Sequence, residues 1–225
     1  MSPPSRRWLW GLAALLGLCP LAAAAGPAAA VPAAGGAPPL PQQVVVGDLG
    51  RSRELDAARL SLFRPDRGAI PGQPLRLHYP LSLAAVELDP YGWRYAQSRQ
   101  AWRMHTGLDL VVGEGTPVLA ALAGVVSLVE MVDGYGLTLI LEHGRGWQTL
   151  YAHLADVAVR PGERLAAGSP VGRVGRSGQA TTPHLHFELR RRQGDVVVAL
   201  DPAPVLLPPP RLDQGEAGVW AGRGR

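Results

Sequence analysis

The feature that most constrains this chain is a succession of short apolar runs, separated by Gly, Pro or Asp turns and each too short to make a useful helix. They lie at residues 75–79, 108–112, 118–120, 125–132, 137–142, 148–153, 171–174, 184–190 and 196–200. Val, Leu and Thr dominate them, which is the composition of strands that pack at least one face. No helical pattern separates the runs, so they predict an all-β domain. The 28 glycines and 22 prolines supply the turns and linkers that such a chain needs. A length of 225 residues leaves room for one domain with chain to spare.

The spare chain sits mainly at the ends. Arg6 and Arg7 precede an apolar run at residues 8–18, and the small residues Ala22 to Ala25 follow. That order predicts a secretory signal peptide over residues 1–25. The apolar run is short of the ~20 residues a transmembrane helix requires, and no later stretch approaches that length. Lipid attachment at Cys19, the only cysteine, is disfavoured because Leu18 stands where a small residue is usual and Pro20 follows. Removal of the leader would take two arginines and no acid, lowering the net charge from +4 to +2. No basic stripe accompanies that charge, so nucleic acid is not an expected partner.

Residues 26–50 read as an Ala/Pro-rich tether. Residues 51–90 are expected to hold a short amphipathic helix at 52–63, with Leu55, Ala58, Leu62 and Phe63 on one face, and then a lead-in strand. Residues 204–225 combine Pro, Gly and charge without periodicity and are expected to be disordered. The folded region between these ends is expected over residues 91–203.

Histidine carries the chemistry. His184 and His186 are two apart in HLHFEL, so on a strand they share a face while Leu185 and Phe187 fill the other. In HTGLDL, the same arithmetic puts His105 and Asp109 together, with Leu108 and Leu110 opposite. Imidazole and carboxylate suit Zn²⁺, and a catalytic zinc uses three protein ligands. His105, Asp109 and one of the His184/His186 pair would satisfy that count, leaving the other and His153 to move protons. Hydrolysis by an activated water is the corresponding reaction class. A cupin metal site is a poorer match. Gly178 stands six before His184 as that motif begins, but its Glu would fall at Arg190 or Arg191, and the chain has no asparagine.

The order YGWR, HTGLDL, GTPVLAALAGVV, GYGLTLILEHGRG, TLYAHL, VRPGERLAAGSPVGRVGRSG and PHLHFEL, over residues 91–202, resembles the lysostaphin/LytM-type zinc metallopeptidases of bacterial cell walls. The resemblance implies a small antiparallel β-sheet domain with its active site in a groove. It implies one Zn²⁺ held by His105, Asp109 and His186, with His153 and His184 as the catalytic pair. It also implies an exported zinc metalloendopeptidase of the periplasm or cell envelope that cuts peptide cross-links of peptidoglycan and takes stem peptides as substrate. The alternative within the same likeness is a module without catalysis that binds and activates a cell-wall amidase, with an amidase or divisome protein as partner. A metal-dependent hydrolase of another polymer is a third reading. Two positions depart from the family pattern: Thr182 stands where Gly is frequent, and Arg99 where some cell-wall lysins place Tyr.

The remaining candidates have structural expectations. His143, beside the Gly144 to Gly146 turn, is expected to be structural or groove-lining, and His78 to be structural. Arg190 to Arg192 read as a solvated strand edge that discourages pairing. Trp93 and Trp102 are expected to pack in the core rather than to stack on substrate.

Overall fold

Alternation along HLHFEL is realised in a long strand that anchors most of the fold. The computed structural model describes residues 43–47, 49, 75–97 and 100–210. In chain order the strands are β1 (Val44–Val46), β2 (Glu87–Asp89), β3 (Gly92–Ala96), β4 (Ala101–His105), β5 (Leu108–Val111), β6 (Pro117–Leu119) and β7 (Gly124–Val132). They continue with β8 (Gly136–Glu142), β9 (Trp147–Val157), β10 (Arg164–Leu165), β11 (Pro170–Val174), β12 (His184–Gln193) and β13 (Val196–Leu200). All strand pairings are antiparallel, as expected of an all-β domain of this family likeness.

One sheet holds eleven strands along the path β1-β13-β12-β9-β8-β7-β10, with β5 and β2 joined to β12 and with β11 and β6 joined to β9. β3 and β4 form a separate two-stranded ribbon. On the main sheet Leu110, Leu139, Leu141, Tyr151 and Phe187 are fully buried on one face, and Leu77 and Leu81 join them from outside the named strands. Each such side chain contributes about 1.5–3 kcal/mol by leaving water. A smaller cluster of Leu128, Ile140, Leu150 and Ala152 lies on the other face. That second face also carries the histidines, as the pairing of His186 with Ala152 and with Asp109 requires.

Several boundaries differ from expectation. Val44–Val46, within the expected tether, adds an edge strand to Val197–Ala199 through a three-residue register. The stretch expected as a strand at 75–79 makes a single bridge, Leu77 to Leu206, flanked by bonds from Leu77 N–H to Val205 O at 2.8 Å and from Leu207 N–H to Leu77 O at 2.7 Å. Residues 205–207, placed by sequence in a disordered tail, are therefore tied to the body of the fold. Strands β2, β3, β4 and β10 were not marked by apolar runs, because they are short, polar or half-exposed. The helix expected at 52–63, the leader and most of the tail lie outside the described residues. No helix among the described residues is long and apolar enough to cross a membrane.

Candidate metal centre

Strand pairing brings the predicted ligands together from distant parts of the chain. β12 pairs with β5 so that His186 faces Asp109, and both side chains project from the same face. His105 arrives differently from the expectation of one strand spanning 105–109. It ends β4 of the separate ribbon, and the chain bends through Thr106 and Gly107 before β5 begins. The bend needs glycine: a Cβ at Gly107 would lie 2.7 Å from His186 Cε1 and 2.7 Å from the Phe187 carbonyl oxygen.

The result is a tight triangle. His186 Nδ1 is 2.6 Å from Asp109 Oδ1, His105 Nε2 is 3.1 Å from the same oxygen, and the two ring nitrogens are 3.2 Å apart. His105, Asp109 and His186 thus form a possible metal site. The chemistry of these atoms fits a cation. The opposite nitrogen of His105, Nδ1, donates to the Pro90 carbonyl at 2.9 Å, and that of His186, Nε2, donates to Glu188 Oε1 at 2.9 Å. Each ring therefore turns its lone pair inward, toward a carboxylate that also only accepts. Three acceptors with no proton between them repel unless a metal or an added proton joins them. Tetrahedral zinc with bonds of about 2.0–2.1 Å separates its ligand atoms by about 3.3 Å, close to two of the three edges.

The titration behaviour reflects the same demand. Burial disfavours charge on His186, but its hydrogen bonds to Asp109 and Glu188 outweigh burial and carry its pKa up to about 9. For Asp109 burial pushes the other way, yet the bonds with His105 and His186 hold its carboxyl well below the usual range. A proton is taken up where a metal would sit.

His153 and His184 lie beside this triangle. Their ring centroids are 4.7 Å apart, and His184 Nε2 is 3.7 Å from Asp109 Oδ2. His184 Nδ1 donates to the Thr182 carbonyl at 2.8 Å, so the Thr182 departure leaves this orienting bond, which uses only the main chain. His153 Nδ1 donates to the Ser177 carbonyl at 2.8 Å. Each ring is therefore anchored through Nδ1, which leaves Nε2 as the nitrogen available to a water or substrate. Burial, reinforced by His184 and His186, lowers the His153 pKa to about 4.

Residues 103–199 match peptidase family M23. The domain belongs to that family. Over 132 residues the chain is 37% identical to the DD-carboxypeptidase/endopeptidase Mpg of Neisseria meningitidis, covering 59% of this chain and 30% of that protein. It is 38% identical over 113 residues to the murein hydrolase activator EnvC of Escherichia coli, covering 50% and 26%. It is 35% identical over 85 residues to the peptidoglycan DD-endopeptidase ShyA of Vibrio cholerae, covering 38% and 20%. The chain thus spans less than a third of the length of each of these relatives.

Behind the triangle, the M23 domain holds a buried polar network that sequence reasoning missed. Glu188 is fully buried, and its Oε1 accepts from His186 Nε2, from the Thr106 hydroxyl at 2.7 Å and from the Tyr135 hydroxyl at 2.9 Å. Its Oε2 accepts from Arg190 Nε at 2.5 Å. Burial alone would raise the Glu188 pKa; the His186 bond and the Arg190 charge bring it down to about 2. Arg190 is 1% exposed, which corrects its reading as part of a solvated edge. Parity was the available signal: 184, 186, 188 and 190 alternate onto one face, so Glu188 and Arg190 share the face of the histidines. Arg191 is exposed and stacked over Trp147 at 4.9 Å, but β12 pairs with both β9 and β13 there, so the expected edge is an interior strand.

The other two histidines, His143 and His78, stand apart from the centre. His143 is buried, donates from Nδ1 to the Ala123 carbonyl at 2.9 Å and accepts at Nε2 from the Thr149 hydroxyl at 2.8 Å. Burial lowers its pKa to about 4, so it is a neutral structural residue. His78 donates to the Tyr79 carbonyl at 2.8 Å. Trp93 and Trp102 are half-buried on the β3–β4 ribbon and do not belong to the main core, contrary to expectation. Arg99 lies outside the described residues.

Proposed function

We propose that this chain is a zinc-dependent endopeptidase that hydrolyses peptide cross-links of peptidoglycan. The observation that carries the proposal is the convergence of inward lone pairs on His105, Asp109 and His186, with the rings of His153 and His184 on the same side. In this reading His105 Nε2, an Asp109 carboxylate oxygen and His186 Nδ1 hold one Zn²⁺. When bound there, zinc supplies Lewis acidity to the scissile carbonyl and lowers the pKa of a water.

The chain's own residues do the rest. His153, neutral at pH 7, accepts the proton of the attacking water at Nε2. His184 Nε2, on the same side, accepts a hydrogen bond that orients the attacking water, and His153 passes the proton it has taken to the leaving amine. The carbonyls of Ser177 and Thr182 hold these rings in the tautomer that makes this possible. The names of Mpg and ShyA, both of which include endopeptidase, support the substrate class. The signal sequence over residues 1–25 supports export to the periplasm or cell envelope.

The likeness to EnvC favours a second reading, a module that binds and activates a cell-wall amidase. Such a module has no use for five correctly oriented metal and proton groups, which is why catalysis is preferred. Zinc content and muropeptide release, measured for the wild type, His186→Ala and His153→Ala, test the choice. The first variant should lose metal and activity, and the second should keep metal and lose activity. Unchanged digestion in both overturns the mechanism. Metal-free protein that stimulates an amidase, without digestion products of its own, supports the activator reading.

A further inference from the structure

The ribbon that supplies His105 also carries charge. β3 and β4 pair Gly92 with His105, Trp93 with Met104, Arg94 with Arg103 and Tyr95 with Trp102. Directly opposed residues share a face and alternate residues return to it, so Arg94 and Arg103 lie on the face of His105. Trp93, Tyr95, Trp102 and Met104 take the reverse face. The contacts agree: Arg94 and His105 both donate to the Pro90 carbonyl, while the Tyr95 and Trp102 rings meet at 5.4 Å.

Two arginines placed opposite each other destabilise a ribbon unless something offsets them. Arg94 is offset, since its guanidinium pairs with Asp89 at 2.6 Å and donates to the Trp93 carbonyl at 3.2 Å. Arg103 is exposed and has no hydrogen bond or ion pair among the described residues. No Asp or Glu occurs among the described residues of the ribbon, 92–97 and 100–105. An uncompensated cation thus stands two residues along the strand from a ligand of the candidate metal centre, a rise of about 6.6 Å.

We propose that Arg103 is a subsite for a free carboxylate of the peptide bound in the groove. A guanidinium offers a carboxylate two parallel donors, the geometry that makes such pairs selective as well as strong. An extended peptide also advances about 3.3 Å per residue. The ribbon spacing therefore selects a carboxylate within about two residues of the bond being cut, which would favour cross-links near a chain end or an acidic residue. The inference rests on the peptidase reading for its substrate, but its test separates the two.

Two cross-linked peptides that differ only in a free carboxylate or a carboxamide one or two residues from the scissile bond are compared on the zinc-loaded chain. Binding by calorimetry and hydrolysis by chromatography are both measured, for wild type, Arg103→Ala and Arg103→Lys. The wild type should prefer the carboxylate by about tenfold or more, chiefly in Kd and KM. Arg103→Ala should bind both peptides alike with unchanged zinc content, and Arg103→Lys should restore part of the preference. A binding preference without hydrolysis sustains the subsite and overturns the peptidase reading. Equal affinity of the wild type for both peptides, or an undiminished preference in Arg103→Ala, overturns the subsite.

Discussion

His153 turns its ring to within 4.7 Å of His184, although strand alternation from Ala152 would send it into the core. Ala152 faces His186 across the ladder and so already occupies the groove side. The next residue should point away, as Tyr151 does from the other direction. Instead His153 adopts φ +60°, and the register of β8 against β9 shifts between Leu137 and Leu139, whose partners Leu154 and Tyr151 bracket Ala152 and His153. This bulge puts two successive side chains on one face and returns Leu154 to the core beside Tyr151. A left-handed residue other than glycine costs about 1–2 kcal/mol. Bonds from His153 N–H to the Tyr135 carbonyl at 2.9 Å and from Gly175 N–H to the His153 carbonyl at 3.1 Å hold it there.

Gly175 should be the sensitive support of that bulge. A Cβ at Gly175 would stand 2.4 Å from the Ala155 nitrogen, main chain that cannot rotate aside. Gly175→Ala is expected to cost about 1–3 kcal/mol of stability and to depress peptide hydrolysis further than that loss explains, because His153 is displaced. Zinc content should stay at one per chain. Retained activity at wild-type level in folded Gly175→Ala would remove the bulge from the mechanism.

Glu188 should tune the metal through His186. Glu188→Gln keeps a hydrogen-bond acceptor but removes the charge that makes His186 a better donor to metal. Zinc affinity, measured by competition with a chelating dye, should fall about 10- to 100-fold. Arg190→Met should be worse for folding, by about 3–5 kcal/mol, since it strands a buried carboxylate. Denaturant midpoints of the metal-free proteins distinguish the two effects.

Stability of the metal-free domain should peak near pH 6.5. His143 and His153 have folded pKa values lowered to about 4 from 6.5, so the unfolded chain binds more protons between those values and stability falls as pH drops through them. His186 has the opposite sign. Its folded pKa is raised to about 9, so its contribution is complete below pH 6.5 and is lost as pH rises through 9. Zinc replaces that proton, so the alkaline decline in Tm should disappear in the loaded protein. Calorimetric scans from pH 4 to 9.5, with and without zinc, give the comparison. An alkaline decline that persists with zinc contradicts metal binding at His186.

Gly107 should matter for assembly of the centre more than for its chemistry. Gly107→Ala forces His186 and the Phe187 carbonyl away from the HTG bend. Loss of zinc with β-sheet circular dichroism retained is the expected result. Stoichiometric zinc in this variant would show that the close approach is dispensable.

The local alphabet of short apolar runs determined the all-β class, because strand formation depends on residues within a few positions of each other. The spacing of His184 and His186 likewise determined that they share a face, and parity extends that face to Glu188 and Arg190. Sequence could not show that Arg190 is buried, since three consecutive arginines look the same in solvent or beneath a ligand until a neighbouring strand covers one of them. Nor could it show that His105 belongs to a different ribbon from Asp109, because four residues can span either a strand or a bend. The side of the sheet that His153 faces depends on a single reversed φ, held by Tyr135 just before β8 and Gly175 just after β11. Residue types and their period are local properties, and they named the five candidate groups. Their convergence is a long-range property of register, bulge and bend, and only the tertiary structure decided it.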